Sequence, residues 1–173
     1  MSRNSYLIRL TLAIACVAGA GGVLSGVASA TSSKSALVLK VENVSVTVNG
    51  KTSKHPVLVN GAGHAVYLLS GDSSTHPLCT SASCLGSWPA VTTSAKRPLV
   101  GKEVTGKVGI WSHKGINQVT INGHPLYTYL ADSSAGEATG EGLTSFGGTW
   151  KVLNGSGVAP SLKASGSSTG AGW

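Results

Sequence analysis

The acidic, imidazole and thiol side chains that could carry chemistry are few, and several recur at one spacing. Asp72 and Asp132 are separated by an offset of 60 in the sequence, and each is followed by Ser-Ser. Two carboxylates could serve as the acid and base of a hydrolase, or hold Ca²⁺ together with the hydroxyls. We favour turn capping, because an acid and a base need different surroundings and the surroundings of these aspartates repeat.

The histidines raise a second possibility, which is coordination of copper or zinc by imidazole. His64 and His124 are separated by the same offset as the aspartates, each follows a glycine, and His76 is a third candidate ligand. No H-x-H or H-E-x-x-H pattern clusters them locally, so we interpret the repeated pair as polar turn residues. An extracytoplasmic metal-binding or redox protein that uses these histidines is the alternative function.

Cys79 and Cys84 are the only cysteines after residue 30, and three interpretations of them are open. In an oxidising compartment, a disulfide across this short loop would stabilise the fold by about 2 kcal/mol on the loop-entropy model. Zinc binding with His76 lacks an obvious fourth ligand and requires reduced thiols. A catalytic thiol would need an unpaired cysteine, which the even count argues against. We therefore predict the disulfide.

The N-terminal segment, residues 1–30, indicates the compartment, because it has the three parts of a secretory signal peptide. Arg3 and Arg9 give a positive start, residues 10–17 are apolar, and residues 28–30 (Ala-Ser-Ala) form an A-x-A cleavage signal. The apolar run is too short for a helix that spans a bilayer. We predict cleavage before Thr31 and a secreted or extracytoplasmic mature chain.

Cys16 allows a different interpretation of the same segment. In a lipoprotein signal this cysteine would become the lipidated first residue and would attach the chain to the outer face of the membrane. We expect a membrane partner only in that case. The usual large apolar residue three positions earlier is replaced by Ala13, so we favour the ordinary secretory signal.

The composition argues for strands rather than helices. Charged residues make up only 11% of the chain, and 24 of its 173 residues are glycine, which is unsuited to long surface helices. Residues 44–48 alternate apolar and polar side chains, and Asn-Gly at 49–50, 60–61 and 122–123 is typical of hairpin turns. We predict an all-β domain in which two related hairpin-based units pack as one small barrel or sandwich.

An internal repeat organises this domain. Residues 63–74 and 123–134 share six identities in twelve positions, and a Gly-x-Trp follows in each copy. The motif residues are Gly63, His64, Tyr67, Asp72 and Trp88 in the first copy, and Gly123, His124, Tyr127, Asp132 and Trp150 at the equivalent places in the second, which also has Tyr129. We assign residues 1–30 to a signal peptide, 31–35 to a flexible start, 36–153 to the duplicated β domain (repeat motifs 57–91 and 117–153) and 154–173 to a flexible Gly/Ser-rich tail.

The repeats resemble the bacterial secreted-repeat lipoproteins, whose copies carry a Y-x-[FWY]-x-x-D motif. The second copy has this motif at residues 127–132, and the first has it at residues 67–72 with Leu69 at the aromatic position. The cysteine pair followed by Trp-Pro at 88–89, and Gly-Gly-Thr-Trp at 147–150, are also similar to copies in that family. The resemblance implies an exported cell-envelope protein with no settled activity.

The net charge of the chain after residue 30 limits the classes of partner that we expect. After residue 30 the chain has 11 basic and 6 acidic side chains, a net charge of +5, spread along the sequence with a single arginine. Nucleic-acid-binding proteins usually concentrate their basic residues, so we expect no nucleic-acid partner. Weak attraction to an anionic cell envelope is the natural consequence. We expect a non-catalytic binding or structural module without a cofactor, whose partner is an envelope polymer or protein. Repeated tyrosines and tryptophans would contact that partner if they are exposed, but the scarcity of other aromatic residues indicates that the core takes them.

Overall fold

The computed structural model describes residues 37–162, which consist mainly of strands and turns. Within this range the elements are β1 (Leu39–Val48), β2 (Lys51–Asn60), β3 (Tyr67–Leu69), α1 (Ala82–Ser87), β4 (Val108–His113), β5 (Ile116–Ile121), β6 (His124–Pro125), β7 (Glu137–Ala138), β8 (Thr144–Ser145) and β9 (Gly148–Val152). The predicted signal peptide with Cys16, the flexible start, and residues 163–173 of the predicted tail lie outside the described residues. No helix of residues 37–162 is long and apolar enough to cross a membrane.

The strands form three small sheets, which confirms the all-β prediction. Their strand orders are β2-β1-β7, β3-β9-β8 and β4-β5-β6. None of these sheets closes on itself, so residues 37–162 do not form the single barrel that we allowed for, and they give no support to a simple sandwich. Several strands have only two or three residues, which is too short to continue a sheet around a barrel.

Two of the three Asn-Gly dipeptides form the tight hairpin turns that their sequence predicts. Asn49 and Gly50 join β1 to β2 with φ of 50° and 73°, and residues 122–123 join β5 to β6 with φ of 51° and 86°. These positive φ values at both central positions are those of a type I′ turn. After Asn60 the chain also folds back, with Val59 paired antiparallel to Ala65, but through a wider loop than a two-residue turn. The side-chain oxygen of Asn60 accepts the N–H groups of Ala62 and His64 in this loop, both at 3.0 Å.

The core has two clusters, and β2 contributes to both. Val57, Leu58 and Val59 are all fully buried. Val57 and Val59 pack in the first cluster, which also contains the repeat tyrosines and tryptophans, whereas Leu58 packs in the second, which is aliphatic. Because successive side chains of a strand point to opposite faces, this burial requires β2 to lie between the clusters.

The packed domain continues past residue 153, where we had placed the start of the flexible tail. The carbonyl oxygen of Gly155 accepts the N–H groups of Thr105 and Gly106 at 2.8 and 3.1 Å. The side-chain amide of Asn122 donates to the carbonyl oxygen of Ser156 at 2.9 Å. Gly157 is buried and has a φ of 78°. This turn therefore closes over the β5–β6 hairpin.

Candidate functional site

The two repeat copies meet through their tyrosines. The N–H of Tyr67 donates to the carbonyl of Tyr127 at 2.8 Å, and the N–H of Tyr127 donates to the carbonyl of Tyr67 at 3.0 Å. The pair is an antiparallel bridge between equivalent residues. Two equivalent residues that exchange the same two hydrogen bonds are related locally by an approximate two-fold axis. The duplication therefore becomes local symmetry in three dimensions.

Hydrogen bonds between the motif side chains cross this axis from one copy to the other. The Tyr67 hydroxyl donates to Oδ2 of Asp132, and the Tyr127 hydroxyl donates to Oδ2 of Asp72, both at 2.7 Å. Each tyrosine thus binds the aspartate of the other copy. We call these two contacts the exchanged Tyr–Asp pairs. Asp72 and Asp132 are only 1% and 4% exposed, so both hydrogen bonds are buried.

The second oxygen of each aspartate holds the loop that follows it. Oδ1 of Asp72 accepts the N–H of Leu78 at 2.8 Å. Oδ1 of Asp132 accepts both the N–H of Thr139 at 2.8 Å and its hydroxyl at 2.7 Å. Both carboxylates therefore have a partner on each oxygen. This arrangement ties a loop of one copy to the tyrosine of the other.

Sequence reasoning missed Thr139 and Gly140 as members of this site. The N–H of Gly140 donates to the Tyr67 hydroxyl at 3.2 Å. A Cβ at Gly140 would lie 2.6 Å from the ring of Trp88, so no larger residue fits without displacing that ring. Thr139 follows Asp132 at nearly the same distance along the chain as Leu78 follows Asp72, and that correspondence between the copies was the available signal.

Burial changes the acidity of both tyrosines. Burial, reinforced by the Asp132 carboxylate and the hydrogen bond to it, raises the pKa of Tyr67 above its ordinary value. Burial and the hydrogen bond to Asp72 likewise raise the pKa of Tyr127. Both hydroxyls therefore stay protonated near neutral pH and act as hydrogen-bond donors.

These raised pKa values predict a loss of stability in alkali. Above a pH of about 10, the tyrosines of the unfolded chain ionise while the folded ones keep their protons. The unfolded state then binds fewer protons, so the free energy of unfolding falls by up to about 1.4 kcal/mol per pH unit for each tyrosine. Urea unfolding across this range measures the slope. Tyr67→Phe and Tyr127→Phe should each give a shallower slope, and slopes equal to that of the unmodified protein would contradict the assignment.

The aromatic rings extend the same symmetry. Trp88 and Trp150 stack with ring centroids 3.8 Å apart and planes 5° apart. Each tyrosine meets the tryptophan of its own copy edge to face at 5.3 Å, Tyr67 with Trp88 and Tyr127 with Trp150. Tyr129 stacks on Trp88 at 4.2 Å. The first copy has the buried Leu69 at the position of Tyr129, so the stack of Tyr129, Trp88 and Trp150 has no matching ring on the Trp150 side.

These rings are buried, as the scarcity of other aromatic residues indicated, so the condition for a contact surface is not met. We expected the repeated tyrosines and tryptophans to contact a partner if exposed, but Tyr67, Tyr127 and Trp150 are 0% exposed and Trp88 is 2% exposed. Of the aromatic side chains in the repeat motifs, only Tyr129 is partly exposed. The chain has few aromatic residues, and its core takes these four because they bury the largest apolar area per residue.

The repeat glycines occupy positions that favour glycine. Gly63 and Gly123 have φ of 89° and 86°, in the left-handed region. Gly123 completes the turn between β5 and β6. Gly63 lies in the wider loop after β2, where its N–H donates to the carbonyl oxygen of Asn60 at 2.9 Å. A side chain at either position would be strained.

Cys79 and Cys84 are joined by a disulfide beside the stacked tryptophans. Their Cα atoms lie 5.5 Å apart, within the usual range, and both residues are buried. Ser81 begins α1 by accepting the N–H of Cys84 at 3.1 Å. The carbonyl of Cys84 in turn accepts the N–H of Trp88 at 2.7 Å. The bridge therefore holds the helix that positions Trp88.

Removal of this bridge is expected to destabilise the protein measurably. The Cys79→Ala/Cys84→Ala double variant should lose about 2 kcal/mol of unfolding free energy, because the closed loop is short. Peptide mass spectrometry of the exported, non-reduced protein should find the two cysteines linked. Two free thiols in that material, or a double variant as stable as the parent protein, would refute the expectation.

Of the three candidate histidine ligands, only His124 has a ring nitrogen engaged within residues 37–162. A ring nitrogen of His124, Nδ1, lies 2.7 Å from the carbonyl oxygen of Asp72. His64 closes the loop after β2 through its backbone, and the backbone N–H of His76 bonds to Ser73. Across residues 37–162 the structure has no group of three or more His, Cys, Asp or Glu side chains placed to hold a metal ion. The disulfide also withdraws both thiolates from coordination.

Comparison with known proteins adds a family and a compartment. No curated protein and no solved structure matches the chain. A family described as a secreted repeat of unknown function matches residues 110–154, which hold the Tyr127, Asp132 and Trp150 of the second copy. Because the family is described as secreted, the match supports an extracellular location. The resemblance predicted from the sequence is thereby confirmed: residues 110–154 match a secreted repeat of unknown function.

Proposed function

We propose that this protein is a non-catalytic module that works outside the cytoplasm by binding an anionic polymer of the cell envelope. The observation that carries this proposal is the distribution of charge on the domain. Six exposed cationic side chains have no salt-bridge partner within residues 37–162: Lys51, Lys54, Lys96, Arg97, Lys107 and Lys114. They are available to an anionic surface.

The acidic residues do not offset this surface. Glu42 pairs with Lys40 at 2.6 Å and Glu141 pairs with Lys151 at 3.1 Å, so these charges cancel locally. The carboxylates of Asp72 and Asp132 are buried inside the exchanged Tyr–Asp pairs. Residues 37–162 contain nine basic and six acidic side chains, a net charge of +3, and salt screens the resulting field over about 8 to 10 Å.

The exchanged Tyr–Asp pairs support a role other than catalysis. Acid–base catalysis by two carboxylates needs one group protonated and the other ionised, which follows from different environments. Here each aspartate accepts one tyrosine hydroxyl and one backbone N–H, and Asp132 differs only in also accepting the Thr139 hydroxyl, so the two environments are similar. Equivalent, fully bonded carboxylates favour a structural role.

A sedimentation assay tests the proposal directly. The exported protein is mixed with insoluble cell-wall fractions, and the retained fraction is measured as salt is raised. We expect retention at physiological salt that declines as the salt concentration rises. Lys51→Glu/Lys54→Glu, which reverses two charges on the β1–β2 hairpin, should reduce retention, whereas the charge-conserving Lys51→Arg/Lys54→Arg should not. Failure of the unmodified protein to be retained at physiological salt would overturn the proposal.

A metal titration tests the competing function. The same protein is titrated with Cu²⁺ and with Zn²⁺, alongside His64→Ala and His124→Ala. We expect no stoichiometric binding, because the cysteines are bridged and residues 37–162 hold no group of three or more His, Cys, Asp or Glu side chains placed to bind a metal ion. Stoichiometric binding that both variants abolish would favour a metal role over the envelope-binding role.

A further inference from the structure

A cleft at the end of the β1–β2 hairpin away from its turn has the features of a ligand site. Its volume is about 620 Å³, within the usual range of small-ligand sites. One wall is the segment 90–95, which follows the Trp-Pro of the first repeat. Asn60 and Gly61 line it at the end of β2, and Arg97 lines it from the next loop. None of the residues in the exchanged Tyr–Asp pairs lines this cleft.

Several polar groups that line the cleft have unused hydrogen-bonding capacity. In the described chain, the guanidinium of Arg97, the hydroxyls of Thr92 and Ser94, and the side-chain N–H₂ of Asn60 all lack a protein hydrogen-bond partner. Arg97, Thr92 and Ser94 are exposed, and Asn60 is half-buried. The Asn60 side chain is held in position by its oxygen, which accepts two backbone N–H groups. The cleft therefore presents an anion-binding guanidinium and several neutral hydrogen-bonding groups together.

Apolar side chains line the same cleft. Leu37 and Leu99 line it while remaining 40% and 47% exposed, and Val91 lines its base with 6% exposure. Val38 and Leu99 are joined by a backbone hydrogen bond of 2.7 Å, which holds this wall in place. A ligand for this cleft would need an acid group, several hydroxyls and an apolar face.

We propose that this cleft binds an acid-bearing oligosaccharide, with Arg97 as the residue that recognises its acid group. Sugar rings combine hydroxyls with C–H faces, so they match both the neutral polar groups and the leucines. Arginine binds carboxylate and phosphate through two parallel hydrogen bonds, which lysine cannot reproduce. This inference rests on the proposed envelope-binding function and names the site and the ligand chemistry for it.

The test is calorimetric titration of the exported protein with three soluble probes. A glucuronate-containing tetrasaccharide carries carboxylates, a phosphorylated tetrasaccharide carries phosphates, and chitotetraose is neutral. We expect at least one anionic probe to bind at least about ten-fold more tightly than the neutral one. The preferred anionic probe identifies the acid group as carboxylate or phosphate.

Variants locate the binding. Arg97→Ala should weaken the preferred anionic probe by about ten-fold or more, Arg97→Lys should weaken it less, and Thr92→Val should weaken it a few-fold. Lys102→Ala removes an equal charge from an exposed residue that pairs with Glu103 and does not line the cleft, so it should change affinity by less than about two-fold. Arg97 and Lys102 are both exposed, so neither change should unfold the domain.

The outcomes separate this inference from the function on which it rests. If cell-wall fractions retain the protein but Arg97→Ala and Lys102→Ala weaken probe binding equally, the cleft proposal is overturned and diffuse charge carries the function. If neither anionic probe binds, or chitotetraose binds as tightly, the cleft proposal is also overturned. If a probe binds through Arg97 but cell walls retain nothing, the envelope function fails and the cleft stands.

Discussion

Trp150→Ala is expected to destabilise the domain by about 3 to 5 kcal/mol, the range for truncating a large buried aromatic residue. Trp150 is fully buried, stacks on Trp88, meets Tyr127 edge to face and donates from its ring N–H to the Ser145 hydroxyl at 2.9 Å. Its removal leaves a cavity between the two copies. Because a domain is stable by only about 5 to 15 kcal/mol, this loss should be visible in urea unfolding as a large fall in midpoint.

Trp111→Ala is the matched control. Trp111 lies on β4, is half-buried and stacks on the half-buried His113 with centroids 3.5 Å apart. The same truncation there should cost less than about 1.5 kcal/mol, since the site lies at the surface and leaves no closed cavity. Equal losses for Trp111→Ala and Trp150→Ala would show that the stacked pair has no special place in the stability of the domain.

The second large effect concerns the exchanged Tyr–Asp pairs. Tyr67→Phe and Tyr127→Phe should each cost about 1.5 to 3 kcal/mol, because each leaves a buried carboxyl oxygen without its donor. Double-mutant cycles reveal which pairs are in contact. Tyr67→Phe should couple with Asp132→Asn by about 0.5 to 3 kcal/mol and should be nearly additive with Asp72→Asn. Tyr127→Phe should instead couple with Asp72→Asn and should be nearly additive with Asp132→Asn.

Tyr129→Phe controls for the loss of a tyrosine hydroxyl. Tyr129 is half-buried, and its hydroxyl has no hydrogen-bond partner among residues 37–162, so the change should cost less than about 0.5 kcal/mol. Coupling of Tyr67 to Asp72, the aspartate of its own copy, would mean that the pairs are not exchanged. That result would contradict the symmetric arrangement.

Much of the local structure could be predicted because its causes are local. Asn-Gly accepts positive φ at both positions of a type I′ turn, so the hairpin turns at 49–50 and 122–123 follow from two residues each. The disulfide follows from two nearby cysteines in an exported chain. The turns at Lys114-Gly115 and Phe146-Gly147 were missed, since the first residue of each has a positive φ that its type does not favour.

The repeat pattern alone does not predict whether the aromatic residues are buried or exposed. The offset of 60 identifies Tyr67 and Tyr127 as equivalent, but an equivalent pair can lie on a surface or in a core. Burial was decided by the rest of the chain, which has one phenylalanine and few other large side chains to fill the space between the copies. Packing at interior density then draws both tyrosines and both tryptophans inward.

The sequence by itself determined the all-β class, the duplication, the family resemblance and the disulfide, because composition, spacing and neighbouring residues carry that information. Only the tertiary structure decided that each tyrosine binds the aspartate of the other copy and that Arg97 joins Asn60 and Thr92 in one cleft. A repeat contains the same residues whether its copies bond within themselves or with each other. The antiparallel pairing of Tyr67 with Tyr127 makes that choice, since it places each hydroxyl beside the opposite loop.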